Sequence, residues 1–407
     1  MRLHHRRYGT VHLSYCTNVH PAEDLGGVLD QLDTYAVGVR QRLGADLLGL
    51  GLWLAAPAAA ALAADAPARR RLRAALTERG LEVVTLNGFP YQAFQTPVVK
   101  HAVYRPDWTD PRRLDYTVRL ARILADLLPD DAARGSISTL PLAWRQPWDA
   151  ARADACARML DRLAAGLADV ERDTGRSIRV GFEPEPGCVV ETTAQAADLL
   201  GSVDTDRLGV CLDLAHLACA WEEPTVALAR LRAAGLPVVK VQVSAALAVT
   251  DPVRDRQAIA GYVEPRFLHQ TRSGGARAGR ADGPDGCTGT GCAAIPVGCD
   301  DLPEALASGL PGPWRVHYHV PLHAAPVSPL ETTVAHLRDS LAVLFAAGGC
   351  DHLDVETYTW GVLPAEQRPA GPVQLAAGIA AELAFARAEL VALGLTAATS
   401  ATGLEAA

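Results

Sequence analysis

Eight short apolar runs, separated by longer stretches of helical periodicity, constrain this chain more than any other feature. The runs are 11–16, 47–54, 81–86, 136–140, 178–183, 208–213, 238–243 and 352–356. Each is short, rich in Val, Leu and Ile, or punctuated by Gly, as a strand requires. Helix-like stretches lie at 22–43, 69–79, 112–128, 148–173, 193–200, 332–347 and 373–393. In 112–128, for example, Leu120, Ile123, Leu124 and Leu127 recur at the spacing of one helix face. Strands alternating with helices pair in parallel through right-handed crossovers that cover the sheet. Eight such units are the number that closes a (β/α)8 barrel. An open doubly wound sheet is the rival, but no G-x-G-x-x-G turn follows any early run.

Length leaves room for more than the barrel. At 407 residues and 49% apolar content the chain can fill a core, as two or three domains or as one barrel with insertions. A ninth strand-like run, 314–320, interrupts the count of eight. It lies in a connection from Ser244 to about Glu331 that also holds a Gly-rich segment, 273–291. We expect one domain over 1–407, with 245–330 as an elaborated loop inserted after the seventh strand, over the barrel mouth. Such a loop is ordered around 314–320 and flexible where glycine dominates.

Composition excludes several functions. The chain has 38 basic and 46 acidic residues, a net charge of −8. Lys100 and Lys240 are its only lysines; the arginine and alanine excess reflects a GC-rich coding bias rather than a basic binding face. Nucleic acid is therefore not an expected partner. Nine cysteines, an odd number without paired spacing, indicate a reducing compartment, and we expect a cytoplasmic location. Cys287, Cys292 and Cys299 fit neither paired zinc motifs nor iron–sulfur spacings. The locally basic Arg272, Arg277 and Arg280 read as a solvated loop. The uncharged stretch 47–64 contains Pro57 and is bracketed by Asp46 and Asp65, so a strand followed by an Ala-rich helix explains it better than a membrane span. No apolar core follows His4, His5, Arg6 and Arg7, which argues against a leader peptide.

The chemistry gathers at the strand ends. The run 178–183 delivers Glu183, with Glu185 on the same face two residues later. The run 208–213 ends on Asp213, with His216 three residues on; in 238–243, Lys240 and Gln242 share a face; 352–356 ends on Glu356. One such acid alone reads as a solvated loop residue or a helix cap. Several together at a barrel mouth repel one another and lose hydration, a cost that a divalent cation removes. Three carboxylates and an amide oxygen suit Mg²⁺ or Mn²⁺; a histidine ligand would admit Zn²⁺ or Co²⁺.

Secondary candidates surround this set. Asn18 and His20 follow the first strand and Asn87 the third, where barrel sites form. They offer contacts to substrate hydroxyls, with turn chemistry before Pro21 as the competing role for Asn18 and His20. Phe89-Pro90-Tyr91 and Tyr358-Thr359-Trp360 place aromatic rings at the rim, for a ligand ring or for lid packing. His317 and His319 alternate onto one face and could complete a metal shell or donate to a phosphate. G-x-S-x-G is absent, so no hydrolase nucleophile elbow is indicated.

Glu183 ending strand five, Asp213-x-x-His216 after strand six, Gln242 in strand seven and Glu356 after strand eight resemble the xylose-isomerase-like TIM barrels. That superfamily contains sugar isomerases, ketose epimerases and endonuclease IV-type enzymes. Within it, Tyr15-Cys-Thr-Asn-Val-His-Pro21, Leu86-Asn-Gly-Phe-Pro-Tyr91, His317-Tyr-His-Val-Pro-Leu322 and Val355-Glu-Thr-Tyr-Thr-Trp360 resemble the metabolite traffic protein EboE family. Its operon is linked to export or processing of prenylated and related secondary metabolites. The resemblance covers 178–358 by motif and the rest by βα pattern. It implies that Glu183, Asp213, Gln242 and Glu356 ligate a metal, and that Glu183 and Glu356 also form an acid–base pair across a substrate carbon. Gln242 departs from the epimerases, where histidine is more usual. Lys240 beside it could hold an anion or pair with Glu183.

The expected function is a divalent-metal isomerase or epimerase acting on a small polyol or sugar-like metabolite. Asn18, His20, Asn87, Glu185, His216, Lys240, His317 and His319 are the expected substrate contacts. The alternatives are a binding or trafficking protein that keeps the pocket without turnover, and a metal-dependent phosphoester hydrolase, which the acidic charge disfavours. Other proteins of the same operon are candidate partners.

Overall fold

In the computed structural model the first barrel strand, Gly9–Cys16, pairs in parallel with both the second and the last, and this closes the sheet. The structure describes residues 1–277 and 296–397, the side chains of 275–277 excepted. Going round the barrel, the strands are Gly9–Cys16, Leu48–Trp53, Leu81–Asn87, Gly135–Thr139, Ile178–Phe182, Leu208–Asp213, Val238–Val243 and His352–Val355. Every neighbouring pair is parallel, and Val355 opposite Tyr15 sets the closing register. The expected (β/α)8 barrel with a long insertion after its seventh strand is what the chain forms. Among the described residues no helix is long and apolar enough to cross a membrane.

Local chemistry fixes the helices that wrap the sheet. Asp149 accepts from the Arg152 amide to start the helix Ala150–Thr174, and Gly175, at φ 68°, ends it in the left-handed region. Thr192 and Gln195 form a reciprocal capping box on Thr193–Leu200. Leu120, Ile123, Leu124 and Leu127 are all buried on the inner face of Pro111–Leu127.

The barrel axis is polar. Ser14 Oγ donates to Asp354 Oδ1 at 2.7 Å, and Lys240 Nζ lies 2.9 Å from Asp354 Oδ2. Ser136 Oγ meets Thr85 Oγ1 at 2.8 Å and His352 Nδ1 at 2.7 Å. His352 and Asp354 stand at alternate positions of the eighth strand, as a shared face demands. Gly51 makes room for them, since a Cβ there would stand 1.9 Å from Asp354 Oδ2. The expectation that Lys240 would hold an anion, pair with Glu183 or meet substrate is corrected. Its ammonium is fully buried and held by Asp354, a residue the sequence did not single out.

The insertion is more ordered than a loop. It builds a five-stranded antiparallel sheet in the order Pro296–Cys299, Thr271–Arg277, Trp314–His319, Ala246–Val249, Glu331–Thr332. The ninth strand-like run is thus the central strand of this second sheet, and the Gly-rich segment begins as its neighbour. Arg272 is not a solvated cation: it is buried, with Nη2 3.0 Å from Glu191 Oε2. Cys287, Cys292, Arg280 and the side chain of Arg277 lie outside the described residues. The seven described cysteines are free thiols. A short strand, Arg2–His5, pairs antiparallel with the first barrel strand and with Thr396–Ala397, so the two ends of the described chain meet at one barrel edge.

Candidate metal centre

The carboxylates sit where βα connections begin. Asp213 ends the sixth strand and caps the one-turn helix behind it: Oδ1 accepts from the His216 amide at 2.9 Å and from Ser244 Oγ at 2.8 Å. Those bonds occupy Oδ1 and leave Oδ2 buried without a partner. Glu183 follows the fifth strand, tied by its amide to Thr139 O at 3.0 Å, with Oε2 likewise buried and unpartnered. Glu356 follows the eighth strand and takes two amides on Oε1, from Asn18 at 2.7 Å and Asn87 at 2.9 Å. Gln242, on the seventh strand, is fully buried with neither end of its amide bonded.

Three histidines complete the cluster, and their tautomers follow from their partners. His216 Nδ1 lies 2.9 Å from Pro184 O and His319 Nδ1 2.9 Å from Glu356 O; carbonyls only accept, so both Nδ1 atoms carry the hydrogen. Gln270 donates its amide to Tyr104 Oη and Pro186 O, each at 2.8 Å, which leaves its Oε1 to accept from His317 Nδ1 at 2.8 Å. Each histidine therefore presents an Nε2 lone pair inward. His216 Nε2 and His317 Nε2 face each other at 2.9 Å, and His319 Nε2 has no partner, 3.8 Å from Asp213 Oδ2. Two opposed lone pairs repel unless a proton or a cation lies between them.

Overlapping triplets place these atoms within reach of one centre. Glu183, Asp213 and His216; Asp213, His319 and Glu356; and His216, His317 and His319 each bring ligand atoms within 4.8 Å of one another. Histidine ligands that donate their second nitrogen to a carbonyl are a common metal-site arrangement.

The electrostatics have the same origin. Burial, and then the charges of Glu356 and Asp213, hold the Glu183 carboxyl well above the usual carboxylate range. Burial pushes Glu356 up to about 8, with Asp213 adding to the shift. Glu185 is pushed up to about 8 by burial, against the donation of Tyr104 Oη to its Oε1 at 2.7 Å. Burial lowers His216 to about 4, and lowers His317 and His319 as well, so all three imidazoles are neutral at pH 7.

The cavity above this cluster is lined by Asn18, Asn87, Glu183, Glu185, His216, His317, His319 and Glu356, together with apolar residues from the rim. Eight sequence-predicted residues are thus brought together. His20 is not among them. It is fully buried, stacked on Tyr35 at 4.0 Å and 3.3 Å from Tyr15 Oη, because the turn before Pro21 directs it into the core. Phe89, Pro90 and Tyr358 reach the cavity, whereas Tyr91 packs on Tyr116 and Trp360 donates to Glu382. Tyr104, Gln270 and Ser244 were missed. Tyr104 and Gln270 lie in connections with no strand-end pattern to mark them, whereas Ser244 directly follows the seventh strand but carries no charge to single it out.

The family model described as xylose isomerase-like TIM barrel matches residues 41–263. Among solved structures, a xylose isomerase-like TIM barrel protein from Mycobacterium smegmatis in complex with magnesium is 14% identical, covers 93% of this chain and 98% of its own, and has a TM-score of 0.51. IolI protein with a bound zinc atom is 13% identical, over 94% of this chain and 97% of its own, at a TM-score of 0.44. The 3-keto-D-glucoside 4-epimerase YcjR from E. coli is 18% identical, over 57% and 79%, at 0.37. No curated protein matches the chain by sequence.

Proposed function

Because the chain belongs to the xylose isomerase-like TIM barrel family, we propose that it is a divalent-metal-dependent isomerase or epimerase of a small polyol or sugar-like metabolite. The observation that carries this reading is a set of buried, unpartnered ligand atoms: Glu183 Oε2, Asp213 Oδ2, Gln242 Oε1 and His319 Nε2. Buried polar atoms without partners are costly, and four at one barrel mouth fit a cation better than any arrangement of the protein alone. Glu183, Asp213, Glu356 and Gln242 would hold it, with His319 and His216 as nitrogen donors. That nitrogen content favours Zn²⁺, Mn²⁺ or Co²⁺ over Mg²⁺, although the M. smegmatis relative was crystallised with magnesium.

When bound, the metal would polarise a substrate carbonyl and its neighbouring hydroxyl, lowering the cost of an enediolate. The residues of the chain supply the rest. Glu183 and Glu356 take a proton from, and return one to, the carbon beside that carbonyl. Asn18 and Asn87 hold Glu356 by one oxygen and so fix its orientation. The free Asn18 Oδ1, buried and unpartnered, accepts from a substrate hydroxyl. Glu185, with Tyr104 and Gln270 behind it, is a third proton-carrying group on the wall.

The segments that resemble EboE contribute Asn18, Asn87, Phe89, His317, His319, Glu356 and Tyr358 to the cavity. Their convergence supports a place in cytoplasmic processing or export of a secondary metabolite, in association with other proteins of that operon.

Deuterium wash-in tests turnover. Metal-loaded protein is incubated in D₂O with a panel of ketohexoses, ketopentoses and inososes. Deuterium should enter at the carbon beside the carbonyl and vanish with Glu356→Gln. Binding without exchange across the panel would favour a carrier.

A further inference from the structure

The cavity has two chemistries. Its floor is the oxygen- and nitrogen-rich cluster above. Its upper wall is formed by Phe89, Pro90, Phe94, Val99, Val103, Phe267, Leu268 and Tyr358. Three of these rings interlock: Phe94 lies 5.1 Å from Phe267 and 5.3 Å from Tyr358, and Phe267 lies 4.8 Å from Tyr358. They come from three separate connections, after the third strand, within the insertion and after the eighth strand. Tyr358 joins wall to floor, with its ring 4.8 Å from His319 and its hydroxyl 3.4 Å from His317 Nε2.

The polar groups that border this wall are already engaged. Lys100 Nζ donates to Phe267 O at 2.7 Å and pairs with Asp301 at 2.5 Å, so the cavity meets its stem. Tyr104 Oη donates to Glu185 and accepts from Gln270. The side-chain amide of Asn87 is spent on Glu356 and on the Phe89 amide. A bare sugar long enough to leave the floor would place its outer hydroxyls against carbon, unpaired.

Resting on the metal-site reading above, we propose that the substrate is amphipathic: an oxygen-rich head on the metal cluster, carrying an apolar substituent of about aromatic-ring size that fills the Phe94–Phe267–Tyr358 wall. Area burial sets the expected gain, because exchanging a methyl for a phenyl group on such a wall strengthens binding by about 10-fold or more.

Matched chelators test this. Acetohydroxamate and benzohydroxamate carry one head and differ only in the apolar part. On Mn²⁺-loaded protein, benzohydroxamate should bind at least about 10-fold tighter. Phe94→Ser/Phe267→Ser should abolish that gain and leave acetohydroxamate unchanged; the half-buried Val103→Asn, milder for folding, should reduce it. Equal affinities in the wild type would overturn the proposal while leaving the metal reading intact. If neither hydroxamate binds, the metal reading falls, and saturation transfer from the metal-free protein to benzyl alcohol decides the wall by itself. Transfer that is lost in either variant sustains the proposal, and absence of transfer in the wild type overturns it.

Discussion

Asn87 donates its side-chain amide to Glu356 Oε1 at 2.9 Å, linking the end of the third barrel strand to the connection after the eighth. The same oxygen receives Asn18, so one carboxylate is oriented from two directions before any ligand arrives. Asn87→Ala removes one donor and frees the carboxylate to rotate. By analogy with residues that orient metal ligands, Mn²⁺ affinity should drop about 10–100-fold with the fold unchanged. Calorimetric titration of wild type and variant reads this directly, and equal affinities would show that Asn87 does not position Glu356.

Lys240 and Asp354 form an ion pair with no solvent exposure. Lys240→Met leaves Asp354 buried and uncompensated, and should cost about 3–5 kcal/mol in urea unfolding. Lys240→Met/Asp354→Leu should cost less than the sum of the two single changes, because neither charge is then stranded. Additive costs would mean that the two residues do not act as a pair.

Gly51→Ala adds a methyl group whose carbon stands 1.9 Å from Asp354 Oδ2. Asp354 must shift, which loosens both Lys240 and Ser14. A destabilisation of about 1–3 kcal/mol is expected, as for other overpacked cores. The same unfolding assay checks it, and an unaffected midpoint would contradict the close approach.

Glu382 gives a pH dependence away from the cluster. Burial pushes its carboxyl up to about 7 from an ordinary 4.5, although Thr357, Leu322 and Trp360 all donate to it. The folded protein thus favours the protonated form more than the unfolded chain does. Its contribution is complete below about pH 4.5 and is lost as pH rises through about 7. Glu382→Gln should be less sensitive to pH than the wild type across this window, by up to about 3 kcal/mol. Parallel slopes for the two proteins would refute the assignment.

The fold was legible because parallel barrel strands are apolar, short and regularly interleaved with amphipathic helices. Glu183, Asp213 and Glu356 were legible because acids break those runs at one end. Lys240 misled, since its partner Asp354 lies in another strand and only barrel closure brings them together. His20 misled because a residue beyond a strand end can point into the core as well as into the mouth. Tyr104 and Gln270 follow no period at all; they reach the site through connections whose course depends on tertiary packing. The second sheet was hidden for a related reason. Its strands, such as Thr271–Arg277 and Glu331–Thr332, are short and polar or Gly-rich, and they are held by neighbours distant in sequence.

Metal content tests the central claim most directly. Protein incubated with equimolar Mg²⁺, Mn²⁺, Zn²⁺ and Co²⁺ and then freed of excess is analysed by mass spectrometry, beside Glu183→Gln/Glu356→Gln. The account predicts about one tightly held divalent ion per chain in the wild type and a loss of most of it in the variant. Stoichiometric metal retained by the variant, or none retained by the wild type, would contradict it.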